Sequence, residues 1–213
     1  MNTPFHMGRA RIETLVDGIF AIAMTILVLE VKVPELADKR SVDELLQALG
    51  HHGYVIGAYF FSFLMLAVFW TWHHRMAEKV RVFDKALLMC TVVFLSLICF
   101  FPFAAALFGR YPTNGVALFV YVMVTGFIIA SQTLYFKTAM MRGLLLESLS
   151  RTHAIQGHAR NLRGCAIFMV ASVPASLRLN EWVAIGALAL GVIIFWHSKR
   201  IMAVAAVQAN EAP

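Results

Sequence analysis

The run Arg11-Ile-Glu-Thr-Leu-Val-Asp17-Gly-Ile-Phe-Ala-Ile22-Ala-Met-Thr25-Ile-Leu-Val-Leu29-Glu30 decides how this chain folds. Between Asp17 and Glu30 it carries no charge, so most of it suits hydrocarbon and its two carboxylates suit the edges. A helix advances 100° per residue. Gly18, Ile22, Thr25, Ile26 and Leu29 then share about 100° of arc. Glu13, Asp17, Phe20, Met24 and Leu27 fall on the other side. The helix therefore has one branched aliphatic face with a single hydroxyl, and its ionisable groups point elsewhere.

The rest of the chain repeats this apolar character. Of 213 residues, 60% are hydrophobic, against roughly 45–50% in a soluble domain. The excess sits in blocks long enough to cross a bilayer, which takes about 20 residues. Strands of a membrane barrel would alternate over short segments, and these blocks do not. The fold class expected is an all-α membrane protein with six spans: Thr14–Val33, Tyr54–Trp72, Ala86–Phe108, Gly115–Phe136, Leu162–Leu177 and Trp182–His197. The fifth is short and holds Pro174. No signal peptide is expected, because the first block is long, carries Asp17 and Glu30, and lacks a small-residue cleavage site. With the N-terminus inside, the inner segments hold thirteen of the 18 Lys and Arg residues and the outer segments five. The positive-inside rule then puts a multi-pass protein in the cell inner (plasma) membrane with both termini cytoplasmic. The net charge of +6 is this inner rim and calls for no nucleic acid.

The expected domain is a six-helix unit over 1–202, followed by a flexible tail over 203–213. Ser41-Val-Asp-Glu44 is a capping-box pattern, and Val42, Leu45, Leu46 and Leu49 follow it at helical spacing. A short amphipathic helix should precede the second span. The longest inner connection, Lys137 to Arg163, carries Leu144, Leu145, Leu146 and Leu149. These suggest a prolonged fourth helix or a surface helix. Cys90, Cys99 and Cys165 lie inside spans and read as packing residues. No nucleophile, phosphate-loop or zinc motif appears, so no enzyme activity, cofactor or metal is expected.

Asp17 at membrane depth needs a partner. The second span closes on Phe69-Trp70-Thr-Trp-His73-His74-Arg75, at the same depth as Arg11 and Asp17. A buried polar network of Arg11, Asp17, Trp70, His73 and His74 is therefore expected to join helices one and two. Adjacent histidines point about 100° apart on a helix and make a poor metal pair.

RIETLVDGIFAIAMTILVLE resembles the first-helix signature of the transmembrane protein 175 family of potassium channels. FWTWHHRM resembles its segment closing helix two, and VVFLSLICFFPFAAAL its helix-three run ending in Pro-Phe. The resemblance spans most of the first 110 residues. It implies one six-helix repeat per subunit, a homotetramer in the lipid bilayer, and a central pore for potassium ions lined by helix one. By the motif, Ile22 matches the constriction and Thr25, Ile26 and Leu29 continue the lining, with Gly18 on the same face. The motif's Phe-Ser is Leu15-Val16 here, and Val16 offers no hydroxyl.

The function these readings give is a potassium-permeable cation channel with a hydrophobic constriction made by helix one of each subunit. Thr25 would offer oxygen to the ion, and Glu30, Glu35, Asp38, Asp43 and Glu44 would gather cations outside. The alternative is a secondary transporter or proton conductor using Asp17 with His73 and His74 as a relay. A non-conducting assembly subunit is a third reading.

Overall fold

The computed structural model describes residues 8–149, 151–178 and 181–210. Among them the chain forms eight α-helices. These are α1 (Arg9–Ile26), α2 (Val42–His51), α3 (Gly53–Ala77), α4 (Lys85–Arg110), α5 (Gly115–Met141), α6 (Arg151–Ala171), α7 (Val173–Leu177) and α8 (Glu181–Asn210). A 3-10 turn, Leu27–Glu30, prolongs α1.

Five helices are long and apolar enough to cross a membrane: α1 with its 3-10 turn, α3, α4, α5 and the Ala184–Ala203 stretch of α8. The fifth expected span is different. Its helix starts at Arg151, well before Leu162, and its first half carries His153, His158 and Arg160. That half is too polar for hydrocarbon. The helix breaks at Ser172 and resumes as the short α7, where Pro174 has no backbone N–H to continue an existing ladder. The boundary drawn at Ala203 is not a break in secondary structure, since α8 continues as helix through Asn210. Residues 211–213 lie outside the described residues.

α4 sits at the centre, packed on α1, α3 and α5. Phe94, Ile98, Phe101 and Ala104 on it are fully buried, against Phe20, Leu66, Phe69 and Ile128 of its neighbours. Each such side chain contributes about 1.5–3 kcal/mol when transferred from water, but in lipid that gain comes on insertion. What holds helices together there is close packing and interhelical hydrogen bonds. Gln132 donates to the Phe69 carbonyl at 2.9 Å, and the Ser62 and Tyr121 hydroxyls lie 3.2 Å apart. α8 approaches α6 closely at Gly191, where a Cβ would stand 2.9 Å from a Val170 methyl and 3.1 Å from the Ala166 carbonyl oxygen.

A second apolar cluster closes the end of the bundle where α1 begins, built from Ile12, Met76, Val80, Phe83, Leu87, Tyr135, Phe136 and Ala139. Leu144 and Leu145 after α5 pack against it, and residues 142–149 make no surface helix. Gly143, at φ 66°, turns the chain out of α5. The Leu144 amide then reaches back to Ala139 and the Gly143 amide to Met140, a Schellman ending. Freed from the helix, Leu145 bridges Val80, with Arg81 N–H on the Leu144 carbonyl at 2.8 Å and Leu146 N–H on the Lys79 carbonyl at 2.9 Å. Two inner connections are thus tied edge to edge. Asp84 caps α4 through the Leu87 amide and pairs with Arg142 at the end of α5. Partial burial raises its carboxyl pKa, and the Leu87 amide and Arg142 guanidinium outweigh this, leaving it below the usual carboxylate value.

At the opposite end, α2 forms as expected. Ser41 Oγ accepts from the Glu44 amide at 3.2 Å. Glu44 reaches further back than a capping box requires, taking the Ala37 and Asp38 amides at 2.7 and 3.0 Å.

Candidate functional site

α1 has two faces of unlike fate. Ile12, Val16, Phe20 and Ala23, and Leu27 in the turn that follows, are buried, at spacings of four, four, three and four. That stripe packs this helix on the central bundle. The opposite side is left uncovered. Ile22 is 60% exposed, Ile26 42% and Leu29 71%. Thr25 is exposed too, and a Cβ at Gly18 would meet nothing within 4 Å. The five residues that the helical wheel grouped together are therefore the face that this subunit leaves free. Leu15, noted in the sequence only as a departure from a motif, lies seven residues before Ile22 and extends the same exposed face inward. Its companion Val16 is buried and fills the core side, where an apolar residue packs without needing a donor.

The Thr25 hydroxyl donates to the Ile22 carbonyl at 2.9 Å. Its proton is engaged inside the helix, so its oxygen lone pairs remain for a group approaching from the open side. Just beyond, the backbone tightens into the 3-10 turn.

The polar group where α1 begins and α3 ends is smaller and more exposed than expected. Asp17 is exposed, not buried, and its Oδ1 accepts from Trp70 Nε1 at 2.8 Å. His74 stacks on the Trp70 ring, centroids 5.7 Å apart, with its Nε2 3.5 Å from Glu78. His73 points into the core instead, stacked on Phe94 at 4.5 Å and tilted against Tyr135 at 5.0 Å. Arg11 is exposed and makes no ion pair with Asp17. The pairing arginine is Arg9, on Glu13 at 2.7 Å and the Val80 carbonyl at 3.3 Å. Between Ile12, Asp17, Trp70 and His73 lies a gap of about 10 Å³, room for about one water molecule.

Of the carboxylates from Glu30 to Glu44, Glu30, Asp38 and Glu44 have partners. Glu30 pairs with Arg110 at 2.5 Å, a partner 80 residues away that nothing in the sequence signals. Asp38 accepts from the Arg40 amide. The Ala37 and Asp38 amides hold the Glu44 carboxyl below the usual carboxylate range.

Comparison with known proteins adds to this geometry. A family model described as endosomal/lysosomal potassium channel TMEM175 matches residues 11–102. A potassium channel from Chamaesiphon minutus is 30% identical over 190 residues, which cover 87% of this chain and 92% of that protein. A potassium channel from Streptomyces collinus is 32% identical over 127 residues, 60% of each chain. Among solved structures, the crystal structure of a lysosomal potassium-selective channel TMEM175 homolog from Chamaesiphon minutus matches with a TM-score of 0.69 at 27% identity. That match covers 89% of this chain and 97% of that one.

Proposed function

The chain belongs to the TMEM175 family, and on that premise we propose that it is a potassium-permeable channel whose pore is lined by the uncovered face of α1 from each of several subunits. The observation that carries this reading is the free face itself. Gly18, Ile22, Thr25, Ile26 and Leu29 find no cover in their own chain. The same face carries the exposed hydroxyl of Thr25, a group that lipid does not favour.

In this arrangement four copies surround an axis, and Ile22 from each closes the path. A ring of branched apolar groups repels water, and an ion cannot cheaply shed its hydration there. Conduction follows when movement of α1 widens the ring. The Thr25 oxygen, one turn outward, replaces part of the lost hydration. α6 and α7 together, over Leu162–Leu177, make the fifth of six crossings. Both termini lie in the cytoplasm by the basic asymmetry, which a C-terminal reporter active only outside the cytoplasm would overturn.

The proton-relay reading draws no support from the site. His73 and His74 diverge, and the Asp17 partner is an indole N–H, which does not exchange protons near neutrality. Purified protein in liposomes should pass potassium down a gradient as an assembly of about four subunits by light scattering. A monomer, or an assembly that passes no potassium, would sink the proposal.

A further inference from the structure

A cavity of about 510 Å³ opens at the inner end of the subunit, between α3, α5 and α6. Arg75 enters it from the last turn of α3, Lys79 from just beyond, and Arg160 from α6. Trp72 and Phe136 line it as well, both set back from the ends of their helices toward the membrane. Lys79 Nζ lies 5.9 Å from the centre of the Phe136 ring. One carboxylate, Glu78, also lines the cavity, with its Oε1 3.5 Å from His74 Nε2.

Three cations thus converge on one cavity. Arg9, Arg81, Arg110 and Arg142 each meet a carboxylate. Arg75, Lys79 and Arg160 form no ion pair among the described residues, though like charges converging on one cavity repel each other. The negative end of a helix accounts for basic residues at its C-terminus, and so covers Arg75 and Lys79. It does not cover Arg160, which lies in the middle of α6.

We propose that this cavity binds the phosphate group of an anionic phospholipid. Arginine matches phosphate oxygens in a fork and lysine as a point charge. Aromatic rings at the membrane surface and basic pockets between spanning helices on the cytoplasmic side suit a lipid headgroup. The three cations hold the phosphate, and the acyl chains descend past Trp72 and Phe136. No residue of α1 lines the site, and its occupancy does not depend on ion conduction.

Native mass spectrometry of the full chain, released from detergent with added lipid, reads this directly. Phosphatidylglycerol should be retained in preference to phosphatidylcholine. Arg160→Gln and Lys79→Gln should each weaken that retention about fivefold, the effect of one cation at an anionic surface. Both side chains leave the apolar core intact, and unchanged helical content by circular dichroism verifies the fold. Lys199→Gln removes the same charge from α8, outside the cavity, and should leave retention as it was. Equal retention of the two lipids overturns the proposal. So does a loss with Lys199→Gln as large as with Arg160→Gln, which would indicate general surface charge. Displacement of phosphatidylglycerol by an equal amount of inorganic phosphate would assign the cavity to a soluble anion and overturn the lipid.

Discussion

Ile22→Asn should raise potassium flux through reconstituted channels about tenfold or more, and weaken their preference for potassium over sodium. Ile22 stands 60% exposed on a helix whose other face is fully packed, so its side chain must meet lipid or another subunit. If it meets its symmetry mates, the gap between four isoleucines is dry. An asparagine there brings an amide able to hold water and to face an ion. Leaving a polar group or ion unsolvated costs several kcal/mol, and each ~1.4 kcal/mol removed from a barrier is tenfold in rate. Discrimination should fall at the same time, because a wetted ring no longer forces the ion to shed water beside Thr25. If Ile22 faces lipid instead, the same substitution places an amide in hydrocarbon and lowers the yield of assembled protein without changing the flux per channel. Potassium and sodium flux, measured on protein of verified assembly, separates the two. Unchanged flux and unchanged preference would remove Ile22 from the pore.

Asp17→Ala should act on assembly, not on ion preference. Its carboxylate takes the Trp70 indole N–H at 2.8 Å and so ties α1 to the end of α3. A hydrogen bond to a charged group contributes about 1.5–3 kcal/mol. This is less than a buried ion pair would cost to break, because Asp17 is exposed in the subunit. Loss of the tie lets the inner end of α1 move relative to the core, while the aliphatic face further out keeps its chemistry. Trp70→Phe should produce the same loss of assembled protein. The double variant should be little worse than either single one, since both remove one interaction. If Asp17→Ala assembles normally but loses its preference for potassium, Asp17 stands in the conduction path and its role here is misassigned.

The legible parts of the sequence were those written in short periods. Five of the apolar blocks became helices long and apolar enough to span, four of them within a few residues at most ends, because length and hydropathy alone decide whether a helix suits hydrocarbon. The face of α1 was legible for a related reason: the buried stripe from Ile12 to Leu27 and the open one from Leu15 to Leu29 alternate at the helix's own period. What failed to show depends on distant contacts. Arg110 comes to Glu30 only after α4 and α1 have packed. Leu145 pairs with Val80 because Gly143 ends α5 and a second loop is waiting at the same depth. The network at Asp17 misled in its details because a cation and a carboxylate close in sequence suggest a pair, whereas helix rotation gave Asp17 to Trp70 and left Arg11 apart. For α6, hydropathy placed the apolar half correctly but missed the polar first half. That half is held by packing on α5 and α8.

The claim on which the rest depends is that the Ile22 positions of several subunits converge on one ion path. Cadmium inhibition of an Ile22→Cys channel, with Cys90, Cys99 and Cys165 replaced by alanine, tests it most directly. Thiolates gathered from neighbouring subunits form a site for a soft cation, whereas a single thiol facing lipid does not. The account predicts that cadmium stops potassium flux through the Ile22→Cys protein, that a chelator restores it, and that Leu188→Cys on the exposed side of α8 is indifferent to the metal. A conducting Ile22→Cys assembly that ignores cadmium would contradict it.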